Sequence, residues 1–137
     1  MAVISELIRV ESDGTISFGD YSLDEKTKLK GFVHEGGSYK VKTYKEITKL
    51  ECDDVFVYES VPGTSVSNFE KKEDGARFLV EGYEDAQVTL ELEVETEYEV
   101  IIDEALTGTM KTNLGGKLSF SVELETNKAV SVVVKKK

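Results

Sequence analysis

Apolar and polar residues alternate along much of the chain. The alternation is clearest in the segments AQVTLELEVE (86–95), GKLSFSVEL (116–124) and AVSVVV (129–134). Successive side chains of a strand point to opposite faces of a sheet, so this period of two predicts half-buried antiparallel strands. No segment has the spacing of an amphipathic helix. The residues expected in the core are Leu90, Leu92, Val100, Phe120, Val122 and Val132.

Short turn sequences with Gly, Asp or Asn separate the alternating segments at close intervals. The composition also favours strands, because 17 Val, 6 Ile and 11 Thr stand against 5 Ala. Many short strands joined by close turns predict an all-β, antiparallel β-sandwich. The predicted strands cover 6–11, 15–21, 27–34, 38–51 (bent or broken near Tyr44), 55–61, 65–73, 76–82, 86–94, 97–103, 107–112, 117–124 and 129–136.

The only proline suggests a division of the chain. It lies in SVPGTS (60–65), which has the composition of a linker. We therefore predict a small antiparallel β-module over 1–62 and a β-sandwich over 63–137. The alternative is one continuous sandwich.

Composition excludes several classes of function. The 137 residues include 17 Lys and Arg against 27 Asp and Glu, which gives a net charge of -10. An acidic surface disfavours nucleic-acid binding, and no apolar run is long enough for a membrane helix. The start, MAVISELIRVE, lacks the basic leader of a signal peptide, so we expect a cytoplasmic protein.

The chain offers few groups for catalysis or metal binding. His34 and Cys52 are the only histidine and cysteine. His34 lies in FVHEGG, where we expect a solvated turn residue, and a single cysteine allows no intrachain disulfide. No phosphate-binding or nucleophile motif is present. We predict no catalytic, cofactor-binding or metal-binding residues and no cofactor. Acidic pairs near turns leave a calcium loop open as an alternative: Asp24-Glu25, Asp53-Asp54, Glu73-Asp74, Glu84-Asp85 and Asp103-Glu104.

Charged residues form two patterned segments. Glutamates alternate from 91 to 99, which predicts the solvated face of two consecutive strands. Like charges repel across a sheet, so we expect lysines of the segment SYKVKTYKEITK (38–49) to lie beside them. The alternative is an electrostatic docking face for a basic partner.

Aromatic residues and apolar edges suggest two kinds of contact. Aromatic side chains either form a sugar-stacking platform or fill the core: Tyr39, Tyr44, Phe56, Tyr58 and Phe69. Edge strands invite pairing, and the candidate edges are Ala2-Val3-Ile4 and Val130–Val134. We expect a monomer or a small homo-oligomer, with a symmetric dimer as the commonest closed form.

The C-terminal part resembles bacterial immunoglobulin-like modules. The run YEVIIDEALTGTMKTNLGGKLSFSVEL (98–124), followed by AVSVVV, has their rhythm of a Y-x-V-x-I/V-D strand, a G-x-x-x-T strand and a G-x-x-x-F-x-V strand. The resemblance covers roughly residues 66–136. It implies an immunoglobulin-like sandwich of the kind that serves as a spacer or binding platform.

The whole chain resembles a group of short acidic proteins of anaerobic Gram-positive bacteria that carry the name endosialidase or endosialidase-associated chaperone. The phrases that carry this resemblance are ELIRVESDGTISFGDYSLDEKTK, VFVYESVPGT, VEGYEDAQVTLELE and MKTNLGGKLSFSVEL. Sialidases of the usual kind hold the substrate carboxylate with three arginines, whereas this chain has only Arg9 and Arg77. We therefore expect no enzymatic activity.

These features favour a non-catalytic structural or protein-interaction β-module. The alternative is a carbohydrate-binding or enzyme-accessory module related to sialidase-type systems. The expected partner is a protein or a glycan, with no nucleic acid and no membrane.

Overall fold

The computed structural model describes residues 3–137, which contain strands and no helix. No helix within that range is therefore long and apolar enough to cross a membrane. The strands, numbered in chain order, are β1 (Ile8–Val10), β2 (Ile16–Phe18), β3 (Thr27–His34), β4 (Gly37–Tyr44), β5 (Ile47–Cys52), β6 (Val55–Val61), β7 (Ser65–Lys72), β8 (Gly75–Glu81), β9 (Ala86–Glu91), β10 (Glu97–Ile102), β11 (Ala105–Lys111), β12 (Lys117–Val122) and β13 (Val130–Lys136).

The strands form two antiparallel sheets that pack face to face. One sheet has the order β1-β2-β7-β8-β13-β10-β11, and the other has the order β12-β9-β6-β5-β4-β3. The buried apolar side chains of both sheets form one core between them. The predicted all-β sandwich is confirmed, while its immunoglobulin-like character stays a prediction.

Both sheets run across the boundary predicted at 62/63. Strand β2 pairs with β7 in one sheet, and β6 pairs with β9 in the other. Each sheet therefore contains strands from both sides of this boundary. The segment expected as a linker is tightly packed, because Ser60, Thr64 and Ser65 are buried.

Two strand predictions show where the pattern was sufficient and where it failed. The segment 38–51 is broken after Tyr44, as expected, into β4 and β5. The segment 86–94 was predicted too long, because β9 ends at Glu91 and the chain turns away. Leu92 N–H donates to Gly116 O at 2.7 Å in this turn. Leu92 is consequently half-buried and packs against the rim of the core, so its predicted full burial was wrong; the other five predicted core residues are buried.

The candidate edges near the two termini were also wrong. Val130–Val134 lies in β13, which is hydrogen-bonded to β8 on one side and β10 on the other. Ile4 is buried, and its N–H donates to Gly19 O at 3.1 Å. Val3 is half-buried, and Ala2 lies outside the described residues. The strands at the ends of the two sheets are instead β1, β11, β3 and β12.

Candidate functional site

The outer face of the six-stranded sheet carries a group of lysines, which we call the lysine face. The side chains of β4 alternate, so that buried Val41 and Thr43 point inward and the intervening lysines point outward. Strand register then aligns lysines of three neighbouring strands. Lys28 lies opposite Lys42, and Lys42 lies opposite Lys49. The lysine face comprises Lys28, Lys40, Lys42 and Lys49.

The row across β3, β4 and β5 places like charges directly opposite one another. Residues opposite each other on one face have Cβ atoms about 5 Å apart, where like charges destabilise a sheet. The pKa of Lys42 is lowered, first by burial and then by the neighbouring lysines, Lys28 before the others. Within residues 3–137, the lysines that form ion pairs with carboxylates lie elsewhere: Lys45, Lys72, Lys117, Lys128, Lys136 and Lys137.

The expected pairing of this basic stretch with the glutamates of 91–99 was wrong. Strands β9 and β10 belong to different sheets, so the glutamates do not share one face. Their lysine partners come from the C-terminal part of the chain. Glu91 pairs with Lys117 at 2.7 Å and Glu93 with Lys136 at 2.9 Å.

On the lysine face itself, Glu51 lies opposite Lys40 and Glu59 lies opposite Lys49. Lys42, in contrast, has lysines on both sides.

Charge is therefore segregated along the sandwich. Residues 26–49 contain seven lysines and two glutamates, and residues 78–110 contain ten acids and no lysine or arginine. Strand β1 contacts β3, and the segment 3–25 around it contains six acids and one arginine. The basic charge is therefore confined to the outer face of β3, β4 and β5 and does not extend over a whole end of the molecule.

A row of less polar side chains borders the lysine face. Tyr44 lies opposite Ile47, and Val61, on the same outer face of the next strand, is 52% exposed. We call Tyr44, Ile47 and Val61 the apolar fringe. On the opposite side of the lysine face, the Phe56 ring contacts ammonium groups, with Lys117 Nζ 4.5 Å from its centroid.

Lys42→Gln should leave the free energy of unfolding unchanged or raise it by a few tenths of a kcal/mol. The substitution removes the centre of the like-charged row, whose repulsion opposes folding. Urea denaturation at low salt checks this, with Lys111→Gln as a control on an exposed strand. Added salt should reduce the gain, because it screens exposed charges. A clear loss of stability would show that Lys42 has a structural role.

A second candidate site is a cleft of about 440 Å³ between the two sheets. We call it the end cleft. It brings together the only histidine and the only cysteine with half-buried aromatic rings and three carboxylates. Its lining includes Asp13, His34, Glu35, Tyr39, Cys52, Phe56 and Glu70.

The polar groups of the end cleft are partly fixed in place. His34 was expected to be solvated, but its side chain is only 17% exposed. Its Nε2 lies 3.0 Å from Gly14 O and donates to that carbonyl, which ties β3 to the turn before β2. Burial, followed by the neighbouring Cys52, raises the pKa of Tyr39 to about 12. Tyr39 is thus a neutral hydrogen-bonding group at physiological pH.

The five aromatic candidates do not form one platform. Tyr58 and Phe69 are buried in the core. Tyr39 and Phe56 line the end cleft, whereas Tyr44 lies in the apolar fringe on the outer face. The packing alternative therefore holds for Tyr58 and Phe69.

The acidic pairs at turns mostly support backbone geometry. Asp53 Oδ1 accepts from Ser38 N–H at 3.0 Å, and Asp103 Oδ1 accepts from Ser131 N–H at 3.0 Å. Asp85 Oδ1 accepts from Leu124 N–H at 3.0 Å. Among the described residues, no group of three or more His, Cys, Asp or Glu side chains is placed to hold a metal ion.

Comparison of the chain with protein-family models, with curated proteins and with solved structures gives no match. The lysine face is the site that sequence reasoning missed. Its signal was present, because KTKLK (26–30) and KVK (40–42) both alternate and flank the turn EGG (35–37). A tight turn between alternating segments places their charged residues on one face of a hairpin.

Proposed function

We propose that the protein is a non-catalytic protein-interaction module that binds an acidic partner through the lysine face. The observation that carries this proposal is the row Lys28, Lys42 and Lys49, aligned across three strands. Like charges directly opposite one another destabilise a sheet, so this row does not contribute to the stability of the fold. Such an arrangement is expected where a partner supplies the opposite charge, since binding sites commonly reduce stability.

Two features favour a polypeptide over a nucleic acid as the partner. The lysine face contains lysines and no arginine, so it lacks the planar forks that match phosphate groups. The Phe56 ring beside it is already in contact with Lys117 and is not a free surface for base stacking. The apolar fringe, in contrast, offers contacts to apolar side chains of a protein.

The triple variant Lys28→Gln, Lys42→Gln, Lys49→Gln should weaken binding of a Glu–Tyr copolymer by about tenfold, as expected for the loss of three exposed ion pairs. Fluorescence anisotropy of the labelled copolymer measures this. The matched control is Lys111→Gln, Lys128→Gln, Lys137→Gln, which changes the net charge equally at exposed positions elsewhere.

The outcomes separate the alternatives. The control should bind like the unaltered protein, and an equal loss in both variants would contradict a defined lysine face. Single-stranded DNA and heparin serve as further probes. Tighter binding of either probe, lost in the lysine-face variant, would assign the site to a nucleic acid or a polysaccharide instead of a protein.

The second candidate function is carbohydrate binding, as in an accessory module of a sialidase-type system. The end cleft favours it, because the Tyr39 ring lies beside hydrogen-bonding side chains in a space of about 440 Å³. Its carboxylates favour a neutral sugar over an acidic one. A glycan array probes this function, and Tyr39→Ala should abolish any glycan signal that arises from the cleft.

A further inference from the structure

The two sheets end in four edge strands that differ in their protection against pairing. Edge strands of natural proteins are protected against pairing with another chain when they are short, carry lysines or contain a bulge. Strand β1 has three residues, one of which is Arg9. Strand β3 carries exposed Lys28 and Lys30, and its register shifts between Leu29 and Phe32. Both of these edges are protected.

The other two edges lie at the opposite end of the sandwich. In β11 the register skips Thr107, since Val100 pairs with Gly108 and Ile101 with Leu106, so the strand contains a bulge.

In β12 the only lysine is Lys117 at its first residue, where the backbone N–H and C=O are already bonded to Asn113. Beyond Lys117 the strand has no such device, because its residues pair with β9 without a register shift and residues 118–122 are uncharged. Over residues 118–122, β12 is therefore the one of these four edges that is open to pairing.

The open part of β12 is self-complementary. It reads LSFSV from Leu118 to Val122. If two copies pair antiparallel about Phe120, leucine meets valine, serine meets serine and the two phenylalanines meet. Apolar pairs placed directly opposite each other stabilise a sheet.

This register also preserves the faces of the sheet. Leu118, Phe120 and Val122 are buried, whereas Ser119 and Ser121 are exposed. Pairing about Phe120 sets inward residues against inward residues and outward residues against outward ones. A register shifted by one residue would place inward residues opposite outward ones. Among the registers that keep the faces, the one about Phe120 aligns the whole of 118–122 with its counterpart.

There is open space beside this edge. A cleft of about 580 Å³ is lined by Ser121 and Leu124 from the β12 side and by Ile102 and Thr107 from the other sheet. The exposed Ser119 and Ser121 side chains project from the solvent face of β12. No described strand other than β9 pairs with β12.

We propose that β12 pairs antiparallel with β12 of a second copy, about a two-fold axis at Phe120. The occupant is a second copy because residues 118–122 of the edge are complementary to themselves in side-chain type, which suits an isologous interface. The two six-stranded sheets then become one continuous sheet. This inference does not rest on the acidic partner proposed above.

The pairing has a consequence for the lysine face. The two-fold axis is perpendicular to the sheet, so both copies keep the same outer face on the same side. Strands β3 and β12 are the two ends of the sheet. The dimer therefore presents two lysine faces at opposite ends of one surface, where a long acidic partner could bind both.

Ser121→Lys should raise the dimer dissociation constant about tenfold or more, because a lysine on an edge strand opposes pairing. Sedimentation velocity over a range of protein concentrations measures it. The matched control is Gln87→Lys. Gln87 is exposed and lies directly opposite Ser121, but on the inner strand β9. The control adds the same charge one strand away from the edge and should dimerise like the unaltered protein.

The double variant Ser119→Cys, Ser121→Cys tests the register. In the proposed pairing, each new thiol at 119 lies opposite a thiol at 121 of the second copy. Mild oxidation should therefore give a covalent dimer whose disulfides join positions 119 and 121. An unaltered protein that stays monomeric at every concentration would overturn the proposal. So would an unchanged dimer in Ser121→Lys, or a covalent dimer linked only through Cys52.

Discussion

Tyr58→Ala should lower the free energy of unfolding by about 3–5 kcal/mol, as expected for truncation of a buried aromatic side chain. Tyr58 is fully buried in the middle of the core. Its ring centroid lies 5.3 Å from that of Phe18 and 5.6 Å from that of Phe78, both edge to face. Phe69 adds a third contact at 6.3 Å. Alanine would lose all these contacts and leave a cavity between the sheets.

Tyr58→Phe is the matched control for the Tyr58→Ala experiment. It keeps the ring contacts and removes only the hydroxyl, which lies 2.9 Å from Thr64 Oγ1. Its expected cost is about 1–2 kcal/mol, the loss of one buried hydrogen bond. Urea denaturation measures both variants. A cost below about 1 kcal/mol for Tyr58→Ala, within the range of surface substitutions, would place the ring outside the core.

The position of Tyr58 illustrates how far the sequence could be used. The period of two predicted β6 but placed Phe56 and Tyr58 on the same face. A bulge between them, which local alternation does not reveal, shifts the register and separates the two rings. Tyr58 consequently lies in the core, while Phe56 lies at the end cleft and contacts a lysine.

The second limit of the sequence was that it could not show which strands, far apart along the chain, lie next to each other in a sheet. Alternation in β9 and β10 was recognised, but consecutive strands were assumed to share a face. In the structure the chain crosses between sheets after Glu91. Glu99 therefore lies beside Lys135 of β13, and Lys42 lies beside other lysines. Which strands are neighbours depends on the packing of the whole sandwich, which a local pattern does not contain.

The sequence predicted the position of the break between β6 and β7 more reliably than the packing of that segment in the fold. The proline and glycine at 62 and 63 do follow the end of β6, and Gly63 is buried although Val61 is exposed. A Cβ atom on Gly63 would lie 2.0 Å from Tyr44 O, so the backbones approach too closely for any other residue. Composition suggested a linker between two modules here, whereas Gly63, Thr64 and Ser65 are buried in the sandwich.

Hydroxyl groups fill the space behind this turn and form a connected network. Thr64 Oγ1 lies 2.7 Å from Ser60 Oγ and 2.9 Å from Tyr58 OH. The Thr64 backbone is held as well, since its N–H donates to Thr48 Oγ1 and its carbonyl accepts from the same hydroxyl. Thr48 Oγ1 in turn lies 2.8 Å from Thr43 Oγ1. All these side chains are buried.

Thr64→Val should therefore lower the free energy of unfolding by about 1–3 kcal/mol, although valine has nearly the same shape. The substitution leaves the hydroxyls of Ser60 and Tyr58 without their shared partner, and unpaired buried polar groups are costly. Thr89→Val is the matched control. Thr89 Oγ1 also bonds a serine, Ser119 Oγ at 2.8 Å, but at an exposed site where water can replace it.

The two threonine variants should differ clearly in urea denaturation, with Thr89→Val within about 0.5 kcal/mol of the unaltered protein. A second step separates a network from independent bonds. If Thr64 and Ser60 act together, Ser60→Ala should cost much less in the Thr64→Val background than alone, because its partner is already gone. Additive costs, or equal costs for the two threonines, would show that the buried hydroxyls do not hold the turn between β6 and β7.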